Sequence, residues 1–115
     1  MKKNLLLLFL LVSQLILAQK MTTDYLDGNW TSNGESTEIT FKKIGKKALE
    51  IIEFNNSGET LIILGYQISK NKLCVEAEFN NWKSISMYTI IDENTMVADI
   101  VSDAPGYIIY KRIIN

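Results

Sequence analysis

The residues of this 115-residue chain that could carry acid–base or ligand chemistry are few, and their spacing narrows them further. Three carboxylate pairs stand at short range: Glu35 with Glu38, Glu50 with Glu53, and Glu76 with Glu78. Glutamates two apart on a strand share a face, near enough for a proton-sharing pair or a weak cation site. Glutamate is rarely buried, however, and charges that alternate along a strand mark a solvated face, which is the stronger reading of these pairs. There is one cysteine, Cys74, and no histidine. Ser-His-Asp and Cys-His arrangements are therefore out of reach, as is the commonest ligand of a catalytic zinc. No glycine-rich phosphate loop, zinc spacing or calcium loop is present. These residues point away from an enzyme and imply neither metal nor cofactor. Binding is the chemistry that remains.

The compartment follows from the first residues, MKKNLLLLFLLVSQLILAQK. Lys2 and Lys3 form a basic start, Leu5 to Val12 an apolar run, and Ala18 a small residue suited to cleavage, so residues 1–18 read as a signal peptide. Ser13 and Gln14 interrupt the apolar run, which is short against the roughly 20 residues that span a bilayer. No membrane span is expected in the mature chain. The leader holds no cysteine for lipid attachment, so the expected destination is the periplasm or the exterior as a non-lipidated protein. Residues 19–115 are then one small domain. Losing Lys2 and Lys3 takes 12 basic residues to 10 against 13 acidic ones, a net charge of −3. Lys42-Lys43 and Lys46-Lys47 flank Gly45 as a solvated hairpin tip would, and no basic stripe suits a nucleic acid. With a single cysteine, no internal disulfide can form, and stability must come from packing and sheet closure.

The elements that must position any site are strands. In KLCVEAEF, Leu73, Val75, Ala77 and Phe79 alternate with Lys72, Cys74, Glu76 and Glu78, one face apolar and one wet, as in a half-buried antiparallel strand. STEITFKK puts Ile39 and Phe41 on one face. ALEIIEF, TLIILGYQIS, SISMYTIID, TMVADIVS and YIIYKRI follow, separated by turn residues such as Asn55-Asn56-Ser57-Gly58, Asn80-Asn81-Trp82-Lys83 and Ala104-Pro105-Gly106-Tyr107. Gly65 inside its strand marks a bulge or sharp bend. Parallel neighbours need crossovers of a dozen or more residues, and none is present, so about eight strands form an antiparallel meander. An open meander would expose two long apolar edges, and closing it into an up-and-down barrel removes them. Glu76, Glu78 and Lys72 on the outward face argue against a lipid-facing barrel.

LDGNW, Leu26 to Trp30, enters the first strand, and Arg112 lies in the last. Gly28 and Trp30 in this position, with Arg112 at the other end, resemble the lipocalin-like (calycin) group, whose first strand opens with Gly-x-Trp and whose last ends with a basic residue. The resemblance implies an all-β, single antiparallel barrel and a structural role for Gly28, Trp30 and Arg112. The basic side chain would lie across the tryptophan and close the barrel floor, with Lys111 as the alternative bearer of that role. Without the resemblance, Trp30 is an ordinary core aromatic.

Barrels of about eight strands either fill with side chains or hold one small ligand. The alternation sends Phe41, Val75, Phe79 and Met87 inward, an interior able to take a small apolar molecule or to pack as a core. Trp82, directly after Asn80-Asn81 at a hairpin tip, is either a lid over the mouth or an exposed anchor for a protein partner. Three functions follow. One is a non-catalytic exported protein holding a small apolar ligand in its barrel, and another is a periplasmic or secreted inhibitor or immunity-type protein that presents loops to a hydrolase or toxin. A purely structural envelope domain is the third.

Overall fold

The described residues, 20–32, 37–102 and 105–114 of a computed structural model, form one single-turn helix and eight strands. The leader read over residues 1–18 lies outside them, as do Glu35 and Ala104. In chain order the elements are α1 (Thr23–Leu26), β1 (Gly28–Ser32), β2 (Glu38–Lys43), β3 (Leu49–Glu53), β4 (Ile62–Ser69), β5 (Lys72–Phe79), β6 (Trp82–Asp92), β7 (Thr95–Val101) and β8 (Gly106–Arg112). Among the described residues no helix is long and apolar enough to cross a membrane.

Local chemistry sets the corners. Asn80 and Asn81 both take positive φ, 49° and 67°, the pair of left-handed residues that a two-residue hairpin needs to follow the strand twist. The Asn55 side chain accepts the amides of Ser57 and Glu59 and so shapes the β3–β4 turn. The register slips between Ile63 and Gly65, the bulge that the glycine implied. The helix has no counterpart in the sequence pattern. Thr22 caps it by accepting the Tyr25 amide at 3.0 Å, a four-residue turn too short to show any apolar period.

The sheet order is β3-β2-β1-β8-β7-β6-β5-β4, each pair antiparallel. First and last strands meet directly, Trp30 opposite Arg112 and Ser32 opposite Tyr110. Every neighbour is a hairpin partner except this one, so the meander curls into a nearly closed up-and-down barrel. Its seam is β3 against β4. There, among the described residues, Phe54 and Thr60 form an isolated bridge, the Leu61 amide donates to the Glu53 carbonyl at 2.9 Å, and the Leu49 amide donates to the Tyr66 hydroxyl at 2.8 Å. The two edges are held at the top and spread toward the bottom.

The core runs up the barrel axis. Trp30, Phe41, Leu73, Val75, Tyr88 and Met96 are all within 1 % of full burial, and Leu26 and Met21 close the end from which β1 starts, here called the base. Phe41 meets Tyr88 edge-on at 6.0 Å, and Tyr88 tilts against Tyr110 at 5.9 Å. Each such side chain contributes about 1.5–3 kcal/mol by leaving water. No cross-link adds to this, since Cys74 is free.

One expected inward residue faces out. Met87 pairs with Cys74 across β5–β6, while its neighbours Ser86 and Tyr88 are the buried ones. SISMYTIID is apolar at both parities, so alternation alone could not choose its face. The pairing of Leu73 with Tyr88 decides it.

Candidate functional site

The base is a seal. Gly28 holds φ at +135°, a backbone angle that side-chain-bearing residues rarely adopt, and it lies beneath the guanidinium, where an added Cβ would stand at ordinary contact distance, 3.5 Å, from Arg112 Nη1. That guanidinium stacks over Trp30 at 4.3 Å and reaches Tyr25 at 5.3 Å. It donates to the carbonyls of Tyr25, Asp27 (3.0 Å) and Glu93 (3.3 Å), and its Nε donates to Asn94 Oδ1 at 3.2 Å. Trp30 Nε1 donates to the Leu26 carbonyl at 2.9 Å, so the buried indole has its partner. Burial pushes the Tyr25 phenol up to about 12 against the opposing pull of Arg112. Arg112, and not Lys111, bears the basic role, because Lys111 lies at the outward register opposite Thr31.

The chemistry lies higher in the interior. Leu49 and Ile51 are buried, and Glu53 follows at the same parity opposite Ile39, so its carboxyl enters the barrel. Oε2 is sealed from solvent and has no hydrogen-bond partner among the described residues. Tyr88, fully buried, has its hydroxyl in the same condition. Burial pushes the Glu53 carboxyl above its ordinary range, with a smaller opposing pull from the Tyr88 hydroxyl, which approaches without reaching hydrogen-bonding geometry. The Tyr88 phenol is pushed well above its usual value, first by burial and then by Glu53 and Tyr110, against a smaller opposing pull from the neighbouring Ser86 hydroxyl. Beside them Tyr110 donates to Thr37 Oγ1 at 3.4 Å, and Thr37 donates to Ser32 Oγ at 2.8 Å. Ser86 adds a further buried hydroxyl. A sealed polar atom without a partner costs about 1–3 kcal/mol. Two of them facing one interior can be satisfied by each other, by water or by a small group that both donates and accepts.

Above this cluster the rim is aromatic. Ala77 opposite Ser84 continues to Phe79 opposite Trp82, all at the inward register. Phe79 is half-buried, and Trp82 remains 48 % exposed. The binding residues expected from strand alternation thus separate into levels. Phe41 and Val75 belong to the packed core, Phe79 and Trp82 to the mouth, and Met87 to an outer cleft of about 250 Å³ shared with Cys74 and Lys72. Glu76 is exposed on the outer face, as its alternation implied. Tyr88 and Tyr110 were not among the expected residues, and Glu53, expected with Glu50 on a solvated face, turns its carboxyl inward instead. For Glu53 the signal was present in the parity of Leu49 and Ile51.

Compared with known proteins, the chain matches no family model, no curated protein and no solved structure.

Proposed function

We propose that this chain is an exported, non-catalytic, lipocalin-like binding protein that holds one small ligand in the upper half of its barrel. The lower half is occupied by Trp30, Phe41 and Leu73, so the ligand is short. Its apolar body lies under Phe79 and Trp82, and a single hydroxyl- or amine-type group meets Glu53 and Tyr88. The observation that carries this reading is the pair of solvent-sealed oxygens on those two residues, neither of which reaches hydrogen-bonding geometry with a partner among the described residues. The Gly28–Trp30–Arg112 seal supports the calycin part of the reading, since it is the arrangement the resemblance implies. The leader supports export to the periplasm or beyond.

Native mass spectrometry of protein purified undenatured from its own envelope is the test. An added small mass, retained in wild type and reduced in a Tyr88→Phe variant, is the expected result. A clean unliganded mass, together with no uptake of a fluorescent fatty-acid probe, overturns the reading.

A second reading rests on Trp82. A half-exposed tryptophan beside the rigid Asn80–Asn81 turn suits an anchor on a protein partner, such as a hydrolase or toxin held by an inhibitor-type barrel. Affinity capture from the same envelope then recovers a stoichiometric protein, and Trp82→Ala weakens capture without lowering the melting temperature.

A further inference from the structure

We propose a second ligand site, outside the barrel at the foot of the β3/β4 seam, that takes a monomeric amphipathic anion. The seam is where the sheet fails to close, and the spreading edges leave a cleft of about 720 Å³ beside the base. Its floor is apolar. Met21 is almost fully buried there, and Ile68 and the Tyr66 ring, both at the inward register of β4, are half-buried where, among the described residues, β3 and β4 form no ladder. The exposed parts of Ile68 and the Tyr66 ring give the cleft an apolar patch that suits a short alkyl or aryl body.

Its rim is rich in donors. Lys46 and Lys47 line the cleft from the β2–β3 hairpin, and neither has a carboxylate partner among the described residues. The one acid on the rim, Asp24, is already engaged by Lys43 at 2.6 Å, which offsets its repulsion of an anion. The hairpin is fixed against the helix because Thr23 Oγ1 donates to the Lys46 carbonyl at 3.2 Å. Tyr66 accepts the Leu49 amide, and its own hydroxyl proton has no acceptor among the described residues. Two ammonium groups and a spare phenol proton over an apolar floor match one carboxylate or phosphate on a short apolar tail. The site stands apart from the Glu53 cluster in the interior, so it neither requires nor excludes the barrel ligand.

Octyl phosphate, below its micelle threshold, is a suitable probe, followed by amide chemical shifts of the full chain. The expected result is saturable shifts at Thr22, Thr23, Lys46, Lys47 and Ile68. Inorganic phosphate and 1-octanol, each carrying half of the chemistry, are expected to bind roughly tenfold or more weakly, since neither can use floor and rim together. Lys46→Gln with Lys47→Gln is expected to weaken octyl phosphate about fivefold, the worth of two exposed charge contacts. Lys42→Gln, in the same basic cluster but off the cleft, leaves affinity unchanged. The proposal is overturned if the double variant binds as wild type, if octanol binds as well as octyl phosphate, or if shifts gather at Phe79 and Trp82. Binding to phosphatidylglycerol vesicles with none to the monomeric probe overturns it too, since a membrane headgroup is then the ligand.

Discussion

Replacing Arg112 with methionine keeps much of the side chain's apolar reach and removes its charge and its five donors. The stacking over Trp30 at 4.3 Å is worth about 0.5–2 kcal/mol. Of the four hydrogen-bond acceptors, the carbonyls of Asp27 and Glu93 are exposed, and water replaces the guanidinium there at little cost. The Tyr25 carbonyl and Asn94 Oδ1 are partly buried, and losing charge-assisted bonds to them costs about 1 kcal/mol each after partial resolvation. The expected loss is about 3 kcal/mol, or roughly 12–24 °C in melting temperature for a domain of this size. Lysine at the same position keeps the charge but cannot fork to several carbonyls while stacking, so about half of the loss should remain. The assay is urea unfolding followed by fluorescence in a Trp82→Phe background, which leaves Trp30 as the only indole. A loss under about 1 kcal/mol for Arg112→Met, or a lysine variant equal to wild type, refutes the reading of the seal as the closure of the barrel.

Other outcomes follow from the same geometry. Gly28→Ala forces a side chain onto backbone at φ +135° and should cost about 1–3 kcal/mol of stability, measured by urea unfolding. Burial raises Glu53 in the folded chain above its unfolded value, so the folded state holds that proton more tightly; the stability this confers is full below the ordinary carboxylate range and is lost as pH rises through the raised value. Glu53→Gln should therefore raise the melting temperature at about pH 8 more than at about pH 4, and an equal effect at both would contradict its burial. Trp82→Ala should leave the melting temperature unchanged to within the effect of about 0.5 kcal/mol, because the ring is half exposed at the rim.

Much of this fold was legible because strand alternation carries burial directly. Leu73, Val75 and Ala77 face in, Glu76 faces out, and Gly65 bends its strand, all as the order of residues implied. The closure was legible in Gly28, Trp30 and Arg112, three residues from the two ends of the domain whose roles make sense only if those ends meet. Where a strand was apolar on both sides the sequence was silent, and Met87 went to the wrong face for that reason. Glu53 escaped for a different one. Burial statistics for glutamate favour water, and a single inward carboxyl overrides them only through cross-strand register, which fixes Glu53 opposite Ile39 but is set by pairing and not by composition. The seam cleft could not be read at all, since it arises from two strands failing to pair.

The most direct measurement is a high-resolution crystal structure of protein purified from its native envelope without denaturation. The expected result is continuous density for a small molecule under Phe79 and Trp82, with a donor-bearing group within hydrogen-bond reach of Glu53 Oε2 and Tyr88 Oη. An interior in which Tyr88 bonds Glu53 directly, or both bond only to water, contradicts the binding function.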